Sequence, residues 1–68
     1  MSAKLLRMLW AAVSETPPHL LIGFDDVALS RHLLGCIESR ANLSREETTE
    51  VNSYIASRTP LIRDLAYS

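Results

Sequence analysis

The chain reads as all-α: a small compact helical bundle of three main helices followed by a short C-terminal helix. Three observations predict it. Apolar residues recur at helical spacing through residues 3–14, 25–41 and 45–58. Helix-start and helix-stop chemistry brackets the second and third of these stretches. No pair of apolar runs offers two strands that could share a ladder, so a lone extended segment would have no partner.

The first helix is expected over residues 3–14, which contain neither glycine nor proline. Leu5, Leu9, Ala12 and Val13 form one stripe, flanked by Leu6, Met8 and Trp10, while Lys4, Arg7, Ala11 and Ser14 make a narrow polar face. The apolar arc spans roughly 200°, wider than the ~100° of an ordinary surface helix. Thr16-Pro17-Pro18 ends it, because proline disfavours helical conformation in the residue before it.

Residues 17–22 admit a single helical turn, with Thr16 as cap, Pro17 in the first position and Gly23 as the stop, or an extended run of Leu20-Leu21-Ile22. The turn is the expectation. The central helix, 25–41, has the clearest boundaries: Asp25 to cap, Asp26 at the positive end of the dipole, and Phe24 to staple onto Leu29. Arg40 complements its C-terminus, Asn42 is placed to adopt the left-handed stop, and Leu43 to fold back on Ile37. Ser44-Arg45-Glu46-Glu47 is a capping box that opens the third helix, carried by Val51, Tyr54 and Ile55 to Arg58. Thr59-Pro60 should close that helix and start a separate one over 60–66, with Leu61, Ile62 and Leu65 on its apolar face.

A chain of 68 residues has room for one domain, taken as 1–68, and such a domain buries only about 60% of its unfolded surface. The single cysteine, Cys36, excludes an intramolecular disulfide, and no Cys/His grouping has zinc spacing. A net charge of −1, from 7 basic and 8 acidic residues, gives no bulk field for nucleic acid or an anionic membrane. The apolar run Met8–Val13 is shorter than the about 7–15 residues of a secretory signal, and no stretch approaches the roughly 20 needed to span a bilayer. A cytoplasmic protein is expected.

Three groupings invite chemistry. His32 and Cys36 stand four apart on the central helix, the spacing of a nucleophile pair or half a metal site. A tetrahedral site needs two more ligands and a nucleophile an orienting group, so Cys36 reads more simply as a small core residue. Asp25-Asp26 and Glu46-Glu47-Glu50 are carboxylate clusters, yet both occupy first helical turns, where the dipole explains them. Neither resembles a calcium loop. No catalytic residue, cofactor site or metal site is therefore expected.

A helix-turn-helix made by the central and third helices is the nucleic-acid alternative. It would need Arg31, Arg40, Arg45, Arg58 and Arg63 to converge, against a third helix that opens acidic. Gly35, mid-helix at a cost of about 1 kcal/mol against alanine, shares a small-residue strip with Ala28 and Ser39. Combined with the wide arc of the first helix, this points to an interface formed by Leu5, Met8, Leu9, Trp10, Ala28 and Gly35. The expected function is a small non-catalytic protein–protein interaction module, regulatory or adaptor-like, that forms a homodimer or docks on another protein. No family resemblance is specific enough to name.

Overall fold

A computed structural model describes residues 1–67, and within them the chain forms four helices and no strand. They are α1 (Ala3–Glu15), α2 (Pro18–Gly23), α3 (Asp26–Glu38) and α4 (Arg45–Ala66). The all-α expectation holds, with the helices distributed differently along the chain.

Ser2 caps α1 by accepting the Leu5 N–H at 3.2 Å. The helix ends at Thr16, whose ψ of 129° is the extended conformation that a following proline imposes. Pro17 precedes a second proline and is likewise extended, at φ −56° and ψ 139°. The next helix therefore starts at Pro18 rather than Pro17. Thr16 closes α1 instead of capping α2, which has no side-chain cap at all. Gly23 is the last helical residue of α2 and no glycine has a positive φ, so the left-handed stop expected there is absent.

Asp25 caps α3 by accepting the Ala28 N–H at 2.7 Å. The helix ends at Glu38, short of residue 41, where the Ser39 hydroxyl donates to the Cys36 carbonyl at 2.7 Å and the Arg40 and Ala41 amides both donate to Ile37 at 3.0 Å. Those bonds take up the Cys36 and Ile37 carbonyls without a left-handed residue, and Asn42 does not adopt that conformation. Arg40 turns to Glu15, 2.6 Å away at the end of α1.

The capping box at Ser44 forms in both directions, the Glu47 N–H to Ser44 Oγ at 3.1 Å and the Ser44 N–H to Glu47 Oε1 at 3.0 Å. It opens one helix where two were expected, with Pro60 inside it. Val51, Ile55, Thr59 and Ile62 make one buried stripe at spacings of four, four and three, so the face that needs cover runs through the proline. An interior proline costs about 3 kcal/mol. Burying Ile62 offsets about 1.5–3 of that, and the Ala56 carbonyl that Pro60 cannot reach lies on the solvent side.

The core lies where α1 packs on α3, and α3 and α2 pack on α4. Leu9, Leu29, Leu33, Val51, Ile55 and Ile62 are wholly buried in it. Thr16 and Thr59 are the buried polar residues, and each hydroxyl donates to the carbonyl four residues back, at 2.8 and 2.9 Å. Each stands before a proline.

Candidate functional site

The six residues expected at an interface are not gathered on one surface. Leu5 and Leu9 belong to the core of the single chain, Leu9 with no exposed area. Met8, Trp10 and Ala28 are half-buried, and Gly35 is exposed. The wide apolar arc of α1 is covered largely from within: α3 takes one side, and Tyr54 of α4 meets Trp10 edge to face, centroids 6.3 Å apart at 87°. An interface of the folded chain thus leaves out Leu5 and Leu9. Around Gly35 no atom comes within 4 Å of where a Cβ would stand.

Besides Met1 and Tyr67 near the ends of the chain, the large apolar side chains left outside lie on α2, α3 and α4. Ile22 is 40% exposed, Val27 62%, Leu61 47% and Leu65 48%. Leu61 and Leu65 stand one turn apart on one face of α4, and Ile22 is on α2, which packs against α4. In the sequence these leucines read as the inner face of a separate short helix; continuing α4 through Pro60 rotates Ile62 inward and leaves Leu61 and Leu65 on the flank.

His32 and Cys36 do approach each other, Nε2 to Sγ at 3.8 Å, but a third residue decides what they do. Thr16 Oγ1 lies 3.0 Å from His32 Nε2. With the Thr16 hydroxyl donating to the Ala12 carbonyl at 2.8 Å, Oγ1 is the acceptor for the His32 tautomer that carries its hydrogen on Nε2. In that tautomer Nε2 is engaged with Thr16 and is not a base toward the thiol. The Phe24 ring packs on the imidazole at 5.5 Å, and the whole arrangement fastens the end of α1 to the middle of α3. Sequence spacing revealed the helical pair and missed Thr16, which only the packing of α1 on α3 brings in.

Four of the five clustered carboxylates have a partner, two within their own helix start and two across the fold. Asp25 caps α3, Asp26 pairs with Arg63 at 2.7 Å, Glu47 closes the capping box, and Glu50 meets the Met1 ammonium at 3.0 Å. Among the described residues no three His, Cys, Asp or Glu side chains assemble as a metal site. The arginines do not converge. Arg40 holds Glu15, Arg58 sits 5.1 Å over the Tyr54 ring, and Arg63 binds the α2–α3 corner. Arg45 and Arg63, at opposite ends of α4, are about 27 Å apart along its axis.

No helix of the described residues is long and apolar enough to cross a membrane. No protein-family model matches the chain, and no curated protein or solved structure matches it.

Proposed function

We infer that the chain is a small, non-catalytic helical module for protein–protein interaction, regulatory or adaptor-like, and that it self-associates as a dimer. The observation that supports this reading is the exposure of Leu61 and Leu65, one turn apart on α4, in a chain whose other helical leucines are mostly covered. Aliphatic side chains paired on one helix face are what a second copy shields in a two-fold contact. Tyr54, which meets Trp10 edge to face, lies on the same flank of α4 by helical register. The reading places the protein in the cytoplasm, in keeping with a single free cysteine.

So few exposed side chains make a small interface, at the low end of those that hold proteins together. The dimer should therefore form in the micromolar range. Sedimentation equilibrium across that range tests it: wild type should shift from monomer to dimer mass, and Leu61→Glu should remain monomeric with an unchanged helical spectrum. A wild-type chain that stays monomeric throughout refutes self-association.

A further inference from the structure

α2 is the least self-sufficient element of the fold. Its six residues fall well below the about 12–15 that an isolated helix needs in water, and it has no side-chain cap at its N-terminus. Leu21 is its one buried residue, whereas α1 buries Leu5, Leu9, Ala12 and Val13, and α3 buries Leu29, Leu33 and Ile37. Extended residues bound it on both sides, Pro17 before and Phe24 after.

Its C-terminal end is held by one side chain of another helix. Arg63 Nη1 donates to the carbonyls of Leu21 at 2.8 Å and Phe24 at 2.9 Å, with that of Ile22 at 3.4 Å, while Nη2 donates to Asp26 Oδ1 at 2.7 Å. These carbonyls are the acceptors a helix end leaves unpaired, and a cation is favoured beside them. Asp26 opens α3, so one planar guanidinium ties the end of α2, the start of α3 and α4 together. The Arg63 side chain is only 24% exposed, which shields those bonds from water.

We propose that α2 is a strap fastened by Arg63, and that residues 18–24 open as a unit while α1, α3 and α4 remain folded. Opening withdraws Leu21 from the core and removes the wall that Pro18 and Leu21 give to a groove also lined by Val13, Thr16, Leu65 and Ala66. It requires breaking one cluster of hydrogen bonds, removing one buried side chain, Leu21, and lifting the half-buried Phe24 ring off His32 and the edge of the core. Opening any other helix removes three or more.

Amide hydrogen exchange on the intact chain, read residue by residue by NMR in a series of sub-denaturing urea concentrations, tests this. The amides of Leu20, Leu21 and Phe24, which donate to Pro17 and Leu20 carbonyls, report the strap. Those of Leu33 and Ile55, inside α3 and α4, report global unfolding. In the wild type the strap amides should open at least about tenfold more often than the core amides, with a shallower urea dependence. Arg63→Ala should accelerate the strap by a further factor of about ten while moving the core amides much less, and Arg63→Lys, which keeps the charge without the fork, should fall between. Strap and core amides of the wild type sharing one opening rate and one urea slope would overturn the proposal, and that comparison does not depend on any variant folding. Equal acceleration of strap and core by Arg63→Ala would overturn it too.

Discussion

Thr16 has a role that its sequence neighbours do not suggest. Its hydroxyl donates to Ala12 and accepts from His32, so it ends α1 and anchors α3 with one oxygen. Replacing it by valine keeps the shape roughly and leaves the imidazole N–H short of a partner, while the Ala12 carbonyl keeps the backbone N–H of residue 16 at 3.1 Å. Thr16→Val should lower stability by about 1–2 kcal/mol, the scale of an unpaired, partly buried polar group, as chemical denaturation would measure. A variant as stable as the parent would mean that His32 is satisfied by water. Gly35 presents the opposite case, a helical glycine with open space around it. Gly35→Ala should raise stability by about 0.5–1 kcal/mol, because the only change is less chain entropy lost on folding. If the melting temperature rises and self-association weakens at the same time, the glycine serves close approach of a second copy.

At the scale of elements, α4 is where local rules and the fold disagree. Thr59-Pro60 has the composition of a cap and first residue, and it is passed through as helix interior. Thr16-Pro17 has the same two residues and does end a helix. The difference lies in the residues after each proline. Pro18 forces Pro17 extended, whereas Leu61-Ile62-Arg63 after Pro60 supplies a core side chain at the right angle and a guanidinium with four acceptors in reach. Continuity makes Pro60→Ala informative. In an unbroken helix it restores the bond to Ala56 and should stabilise by about 1–3 kcal/mol, after allowing for the looser unfolded chain. Were Pro60 the first residue of a separate helix, the same change would be neutral or slightly destabilising.

For the whole molecule, the number of apolar faces set against the number of helices decides which apolar side chains stay exposed. The wide arc of α1 is mostly satisfied by α3 and Tyr54, which moves the surplus to Leu61, Leu65, Ile22 and Val27. Two substitutions separate core from surface. Leu9→Glu places a charge where no solvent reaches and should abolish the cooperative thermal melt. Leu61→Glu, on a side chain 47% exposed, should leave the melt within about 0.5 kcal/mol of the parent and act on association alone. The reverse ranking, followed by circular dichroism and sedimentation, would return the interface to α1.

The sequence alone determined the features whose physics is local. The capping box at Ser44, the cap at Asp25, the helical turn before Gly23 and the stripe of Leu5, Leu9, Ala12 and Val13 depend on residues within a few positions of one another, and all stand in the structure. The tertiary structure decided how the ends are satisfied and which apolar faces stay outside. Arg63 takes the carbonyls of α2 from 39 to 42 residues away, and that removes the need for a left-handed glycine. Thr16 meets His32 only because α1 lies on α3. Pro60 is carried inside α4 because Ile62 completes a core whose other walls come from the other helices. In each case the deciding energy is a contact between distant parts of the chain, and that energy outweighs a local preference worth only about 1–3 kcal/mol.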